Sequence, residues 1–181
     1  STEDFISAIE SLPNDEIILM PNNGNVIMAA QQAAQMTENK TVRVIRSKTV
    51  QQGIAGLMAY MDTNEDGDLD TVFGAMEDAI STIVSAEVTT AVRDVNFDGV
   101  DVIQGQFIGM LNGKLVAAND DLQDIIVALM QKGGAETHEI CTLYYGAGMT
   151  EVDANQLVET LGAEFPNLDY EIVYGGQPLY P

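Results

Sequence analysis

Residues 16–36 read EIILMPNNGNVIMAAQQAAQM and join a short apolar run, a turn and a helical pattern. The apolar run has the length and composition of a buried strand, and the Pro-Asn-Asn-Gly-Asn sequence ends it as a turn. Beyond the turn, four apolar residues recur at the spacing of one helix face: Val26, Ile27, Ala30 and Ala33. A strand followed by a helix in this way is the building unit of an α/β fold.

The alternation of strands and helices continues on both sides of this stretch. A helix is predicted over residues 2–11, with Leu12 on its buried side, and a second strand over residues 41–46. Thr49 and Gln52 have the spacing of a capping box, so a helix is expected to begin there. Its predicted buried residues are Ile54, Leu57 and Met58. The clearest helical stripe follows, with Leu69, Val72, Phe73, Met76, Ile80, Ile83 and Val84.

The sequence pattern changes near residue 85. Alternating apolar residues and the turn sequences Asp98-Gly99 and Asn112-Gly113 predict an antiparallel β-meander up to residue 117. The remaining predicted elements are a helix capped by Asn119, a strand at 139–145, a helix from Thr150 to Gly162 and a strand at 169–174. We therefore predict a two-lobed α/β fold in which strands alternate with helices. The lobes are residues 1–84 and residues 85–181, and the second contains the β-meander and a βαβ segment.

Composition limits the classes of function. The chain has 181 residues, of which 46% are hydrophobic, enough to bury a core. Its formal net charge of −21 repels phosphate backbones and anionic lipids, so we expect neither nucleic acid nor a membrane surface as a partner. No apolar run approaches the roughly 20 residues of a membrane span. Cys141, the single cysteine, suits a reducing compartment, and we expect a cytoplasmic protein with a basic protein partner.

The turn after the first strand is a candidate binding loop. It contains Asn22, Asn23 and Asn25, whose side chains offer both hydrogen-bond donors and acceptors. In α/β folds, ligands gather beyond the carboxyl ends of the strands, where helix N-termini present free N–H groups. The alternative interpretation is ordinary turn and N-cap chemistry.

The turn after the second strand carries a concentration of positive charge. Four of the seven basic residues lie within nine positions: Lys40, Arg43, Arg46 and Lys48. Lys48, next to the helix start marked by Thr49 and Gln52, is the best single candidate for contact with an anionic group. The alternative is that these cations pair with neighbouring carboxylates.

Other motifs argue against catalysis by this chain. The Gly146-x-Gly148 turn lacks the third glycine of a dinucleotide site, since position 151 is Glu151. The loop Asp62–Asp70 copies the first half of an EF-hand, but Phe73 stands where calcium needs a bidentate glutamate. An acidic loop leading into a helix is the simpler interpretation, and a calcium site is the alternative. His138 and Cys141 are expected to be a strand-edge residue and a small core residue.

Five segments together resemble a known family. Residues 18–30, 48–55, 87–94, 105–109 and 175–181 are similar, in order, to the C-terminal region of the A component of fatty acid kinase, which is related to dihydroxyacetone kinases. The resemblance implies a two-lobed α/β domain that docks an acyl-binding partner protein. The separate kinase domain, absent from this sequence, would use Mg-ATP to phosphorylate the bound fatty acid. The chain itself would need no cofactor and would not be catalytic alone.

Two further segments complete the set of candidate contact residues: the strand-to-helix turn at residues 146–150 and the final segment, residues 175–181, which is part of the resemblance. Gly146 and the segment Gly175-Gly176-Gln177 are expected to add short-range partner contacts to those of the asparagine turn. The alternative is a domain that binds dihydroxyacetone or another small molecule for a kinase. Dihydroxyacetone-binding proteins of that family hold their substrate through a histidine, and the surroundings of His138 do not match that site. The sequence leaves self-association open.

Overall fold

A computed structural model describes residues 1–63 and 67–181 of the chain. The chain divides into two units, Ser1–Ser85 (unit 1) and Ala86–Pro181 (unit 2). Both units mix helices with strands, which confirms the predicted α/β class.

Unit 1 is built on two parallel strands. Its elements are α1 (Thr2–Ser11), β1 (Glu16–Leu19), a 3-10 turn (Gly24–Val26), α2 (Ile27–Met36), β2 (Thr41–Val44), α3 (Val50–Asp62) and α4 (Leu69–Ser81). Strands β1 and β2 pair in parallel, with Glu16 opposite Thr41 and Leu19 opposite Val44. The carboxyl ends of the two strands are therefore adjacent, and the turns that follow them share one edge.

Helices cover both faces of this strand pair. Successive side chains of a strand point to opposite faces, so Ile17 packs with Ile9 and Ala33, on the side of α1 and α2. Ile18 packs instead on the cluster of Ile45, Val72, Met76 and Ile80, on the side of α4. The apolar composition of residues 16–20 predicts this two-sided burial correctly.

Helix α3 corrects one sequence prediction. Leu57 and Met58 are exposed rather than buried, and the buried residues of the helix are Gly53 and Gly56. A Cβ atom at Gly56 would lie 3.1 Å from Ile80 Cδ1 and 3.5 Å from Met20 Sδ. The glycine face therefore allows close approach of α4 and the end of β1, and the large apolar side chains turn outward.

The prediction of burial is also wrong for two other apolar residues. Leu12 lies just beyond the end of α1, where its extended backbone leaves the side chain 43% exposed. Helix α4 ends at Ser81, so Val84 falls outside the helix whose stripe it was expected to continue, and it is exposed.

Unit 2 combines antiparallel strands with a βαβ segment. Its elements are β3 (Ala86–Thr90), β4 (Val95–Phe97), β5 (Val100–Val102), β6 (Phe107–Leu111), β7 (Lys114–Asn119), α5 (Leu122–Lys132), a 3-10 turn (Ala135–Thr137), β8 (Ile140–Tyr145), α6 (Glu151–Glu164) and β9 (Asp169–Tyr174). Strands β8 and β9 pair in parallel, and α6 supplies the crossover connection that parallel pairing requires.

The antiparallel strands do not form a simple meander. The three-stranded sheet has the order β3-β6-β7. Strands β4 and β5, which follow β3 and precede β6 along the chain, form a separate hairpin. The Ala91 N–H donates to the Gln106 carbonyl at 2.8 Å, and the Gly105 N–H donates to the Ala91 carbonyl at 2.9 Å. These bonds close the base of residues 92–104, the segment that leaves the three-stranded sheet and that we call the 92–104 excursion.

The predicted turns and caps of unit 2 are largely confirmed. Both two-residue turns have left-handed backbone, with φ of 51° at Asp98 and 50° at Asn112, each followed by glycine. Thr150 and Asp153 form the predicted capping box of α6. The start of α5 differs, because Asp121 rather than Asn119 accepts the bond from the Asp124 N–H.

Two helix caps make the free energy of unfolding depend on pH in the acidic range. Hydrogen bonds from the Thr150 hydroxyl and N–H lower the pKa of Asp153 below 3.8, and those from Thr71 similarly lower the pKa of Asp68. The contribution of each cap to the free energy of unfolding is therefore present above about pH 3.8, the ordinary pKa of the carboxyl group. It is lost as the pH falls through the lower pKa of the folded state.

We expect Asp153→Asn to show a shallower loss of stability than wild type between about pH 5 and about pH 3, because it removes one of these protonation events. Urea denaturation followed by far-UV circular dichroism measures the slope. Asp78→Asn, which removes an exposed charge that caps no helix, is the control and should keep the wild-type slope. Equal slopes for Asp153→Asn and wild type would contradict the assignment.

Candidate functional site

The two turns at the carboxyl edge of β1 and β2 contain the unit 1 site residues predicted from the sequence. After β2 the chain stays extended, and its side chains alternate: Ile45, Ser47 and Thr49 are buried, whereas Arg46 and Lys48 are exposed. Two hydroxyl groups thus point into the unit while two cations face solvent. The sequence contains this alternation, but a hydroxyl residue gives no clear signal of burial.

Asn22 holds the first turn against the second. Its N–H donates to Ser47 Oγ at 3.0 Å, and its φ of 55° is a left-handed conformation that asparagine tolerates. The side-chain amide packs directly on Gly53 of α3, where any Cβ atom would overlap it. The Oδ1 atom of Asn22 is buried and accepts no hydrogen bond from the residues that the structure describes. Asn22 therefore acts between the two turns rather than on the surface.

The other two asparagines lie on the surface. Asn23 Oδ1 accepts a hydrogen bond from the Asn25 N–H at 2.9 Å and starts the 3-10 turn. Turn chemistry thus accounts for the oxygen of Asn23. The side chain of Asn25 is exposed.

The start of α3 uses its polar side chains internally. Thr49 Oγ1 accepts from the Gln52 N–H at 3.1 Å and is hydrogen-bonded to Ser85 Oγ at 2.7 Å. Gln52 Oε1 accepts from the N–H of Lys48 at 2.7 Å, one residue before the cap. Thr49 therefore caps α3 as predicted, but the capping box is not complete, because the Gln52 side chain accepts from Lys48 rather than from the Thr49 N–H. The Lys48 side chain points outward.

The run of basic residues divides into two pairs. Lys40 Nζ donates to the carbonyls of Leu12 and Asn14. Arg43 forms an ion pair with Asp70, and its guanidinium lies 4.0 Å from the centre of the Phe73 ring. The alternative interpretation, pairing with a carboxylate of the same chain, therefore holds for Arg43. Lys40 is also bound within the chain, but to carbonyl groups.

Arg46 and Lys48 behave differently. Both are exposed, and neither forms an ion pair within residues 1–63 and 67–181. Lys48 Cγ lies 3.8 Å from the position a Cβ atom at Gly24 would take, so the lysine stem rests against the asparagine turn. Asn23, Asn25, Arg46 and Lys48 together form an exposed surface that we call the polar edge.

The predicted residues of unit 2 hold its C-terminal segment, residues 175–181, which we call the strap. The Ala147 N–H donates to the Gln177 carbonyl, Gln177 Nε2 to the Tyr144 carbonyl and the Gly175 N–H to the Tyr145 carbonyl, each at 2.9 Å. The Gly146 N–H donates to the carbonyl of Pro181. Gly176 provides the left-handed backbone, with φ of 71°, that turns the strap back.

Sequence reasoning missed a cleft beside the strap. It has a volume of about 510 Å³ and is lined by residues that include Thr90, Phe107, Leu122, Met149 and Leu179. Its lining comes from separate strands, a helix and the strap, and no local pattern marks such a meeting. Most of these side chains are apolar, so the cleft suits an apolar group.

The candidate calcium loop lies only partly within the described residues. No group of three His, Cys, Asp or Glu residues that could hold a metal ion occurs among them. Within the calcium motif, Asn64 and Asp66 lie outside the described residues. Asp68 caps α4 by accepting from the Thr71 N–H at 2.8 Å, and Asp70 pairs with Arg43.

His138 and Cys141 have structural positions. His138 ends a 3-10 turn just before β8, and its carbonyl accepts a hydrogen bond from Asn167. Cys141 is partly buried against the cluster of Ala135, Phe165 and Leu168, and burial raises the pKa of its thiol.

No helix in the described part of the chain is long and apolar enough to cross a membrane.

Comparison with known sequences gives a match over the whole chain. The FakA-like C-terminal family, named for the C-terminal part of fatty acid kinase A, matches residues 1–181. Protein YloV of Bacillus subtilis is 37% identical over 180 residues, which are 99% of this chain and 32% of that protein. An uncharacterized protein of Staphylococcus epidermidis is 34% identical over the same shares. The chain thus spans about a third of the length of these relatives.

Solved structures with a similar fold belong to DegV and Fak B proteins. A DegV family protein from Corynebacterium glutamicum has a TM-score of 0.65 at 16% identity and covers 96% of this chain and 73% of its own. The Streptococcus pneumoniae Fatty Acid Kinase (Fak) B3 protein, loaded with linoleic acid, has a TM-score of 0.63 at 15% identity, with coverage of 96% and 69%. A Thermus thermophilus DegV family protein, described as binding fatty acid, has a TM-score of 0.57 at 16% identity, covering 99% and 75%.

Proposed function

Because the chain belongs to the family of FakA-like C-terminal domains of fatty acid kinase, we propose that it is a non-catalytic domain that docks an acyl-binding partner protein. Phosphoryl transfer, with its Mg-ATP, is the task of the part of such proteins that this chain does not span. The polar side chains of the predicted turns serve mainly as caps and turn contacts. We assign the domain to the cytoplasm, in keeping with its single cysteine.

The polar edge is the observation that carries this proposal. In a chain of net charge −21, it presents two exposed cations next to two exposed asparagine side chains. The capping groups of the same turns are satisfied internally, so the turns are rigid supports for these side chains. Rigid loops that present exposed polar groups are typical of interaction sites.

The partner we propose is a fatty-acid-loaded protein of the kind represented by S. pneumoniae Fak B3 and the T. thermophilus protein. The overall negative charge of this chain would attract a basic partner over long range, and the polar edge would contribute short-range contacts. The direct experiment is surface plasmon resonance between the whole protein and the DegV-family protein encoded in the same genome, loaded with oleate. Absence of binding by wild type contradicts the proposed function.

A second candidate function is binding of a small molecule by the domain itself, and the cleft beside the strap favours it. A thermal-shift screen with oleate, dihydroxyacetone and ATP separates the two functions, since a ligand that binds the folded state raises its midpoint. A saturable shift with one of these compounds, retained without the partner, supports the second function.

Lys48→Ala should weaken partner binding by roughly three- to tenfold, mainly through faster dissociation, because it removes a short-range charged contact of the polar edge. Its effect on the free energy of unfolding should stay below about 1 kcal/mol, since the side chain is exposed and rests only on the asparagine turn. Surface plasmon resonance and urea denaturation measure the two quantities on the same preparation.

Lys114→Ala is the matched control, because it removes one exposed positive charge from unit 2. If both variants weaken binding equally, the loss is not specific to Lys48 and the polar edge is not the contact. If Lys48→Ala loses binding and stability in proportion, Lys48 has a structural role.

A further inference from the structure

Helix α3 has its small residues inside and its large apolar residues outside. Its buried residues are Gly53 and Gly56. Five apolar residues follow the opposite side at intervals of three, four or one, and we call them the outward stripe: Val50, Ile54, Leu57, Met58 and Met61. Four of them are 47–74% exposed, and Ile54 is partly buried.

This arrangement is not required for folding of unit 1. The glycine face already packs on α4 and on Asn22, so the outward stripe contributes little burial of its own. Contiguous exposed apolar residues are unfavourable in water, and large patches of them mark interaction sites. Spacings of i, i+4, i+7, i+8 and i+11 place all five on one face of the helix, the pattern with which a helix enters an apolar groove. From Val50 to Met61 the stripe is about 17 Å long.

The outward stripe is continuous with the polar edge. Val50 follows Lys48 by two residues, and both are exposed where α3 begins. At the next turn of the helix, Gly53 supports the side chain of Asn22, which fixes the asparagine turn. The cations and the apolar residues thus belong to one surface, with positive charge at the N-terminal end of the helix.

We infer that the outward stripe is the apolar centre of the docking surface, and that it enters a groove on the acyl-binding partner. The groove would be apolar, about one helix wide, and would place an acidic group opposite Lys48. This inference rests on the proposed function and adds the contact face to it. A second copy of this chain is a poorer occupant, because two surfaces of net charge −21 repel each other.

The test replaces methionines by glutamine, which has a similar length and a similar helix propensity. Met58→Gln/Met61→Gln in the whole protein should weaken binding to the oleate-loaded partner by about tenfold or more, because apolar residues at the centre of an interface dominate its affinity. The loss should appear as faster dissociation. The thermal midpoint should stay at the wild-type value, since both side chains are exposed.

Leu12→Gln/Met36→Gln is the matched control, because it replaces two exposed apolar residues of unit 1 outside the outward stripe. Its affinity should remain within about twofold of wild type. If wild type binds the partner and the stripe variant binds equally well, the inference is wrong and the proposed function stands. If wild type does not bind, the proposed function fails and the inference with it. If light scattering shows a wild-type dimer that the stripe variant abolishes, the stripe contacts a second copy and the inference is overturned.

Discussion

Gly146→Ala should release the strap of unit 2 and lower the free energy of unfolding by about 2–4 kcal/mol. A Cβ atom at Gly146 would overlap the carbonyl oxygen of Tyr180 and lie 2.6 Å from that of Gln177. Both atoms belong to the backbone, so no rotamer change relieves the overlap. The hydrogen bonds from Gly146 and Ala147 to the strap, and that from Thr89 to Leu179, would be lost with it.

Hydrogen exchange checks this prediction locally. The amide protons of Gly146 and Ala147 should lose their protection, and the thermal midpoint should fall by roughly 5–12 °C, as expected for a protein of this size. Gly148→Ala is the control, since nothing lies within 4 Å of a Cβ atom there. Retained protection in Gly146→Ala, or an equal fall in the midpoint for both variants, would show that the strap is not held in this way.

Gly53→Ala should displace the asparagine turn from α3. The new methyl group would occupy the space of the Asn22 amide, and that side chain is short and its oxygen is buried. We expect a loss of about 1–3 kcal/mol, despite the higher helix propensity of alanine. Under the proposed function, affinity for the acyl-binding partner should fall as well, because the turn carries the exposed asparagines of the polar edge.

Gly74→Ala is the matched control for Gly53→Ala. It makes the same substitution within a helix of the same unit, and no atom lies within 4 Å of the added carbon. Helix propensity then acts alone, and Gly74→Ala should be neutral or more stable by up to about 1 kcal/mol. The difference between the variants in urea denaturation isolates the overlap with Asn22. A Gly53→Ala protein as stable as Gly74→Ala would contradict the close packing.

Features of the fold that depend on neighbouring residues are predictable from the sequence. The Asn112-Gly113 turn needs two left-handed residues, which asparagine and glycine supply. The capping box of Thr150 and Asp153 is complete within four residues, and the limits of β9 match the predicted strand. In each case the deciding atoms are close together in sequence.

Features that depend on contacts between residues distant in the sequence are not predictable in this way. The pattern of α3 predicts burial of its large residues, and only contact with Ile80 and Asn22 shows that the glycines face inward. The pairing of β3 with β6 skips a hairpin, which no alternation of side chains reveals. Leu12 likewise escapes burial because the chain is already extended at that point.

The candidate site shows the same division. Lys48 is exposed, as a contact residue must be, and its charge makes it recognisable in the sequence. Thr49, Gln52 and Gln177 are candidates because of their polar groups, and the structure shows those groups bound within the chain. A polar side chain near the start of a helix can cap that helix or contact a partner, and the sequence alone does not separate the two roles.

The closed base of the 92–104 excursion separates its length from the register of the sheet. Ala91 is hydrogen-bonded to Gly105 and Gln106, so the pairing of β3 with β6 is fixed at the base of the excursion and not at its tip. Each doubling of a flexible loop costs only about 0.6 kcal/mol of closure entropy. The tip at Asp98-Gly99 is therefore a point where an epitope or a fluorescent reporter can be grafted, and where insertions can accumulate during evolution without loss of the fold.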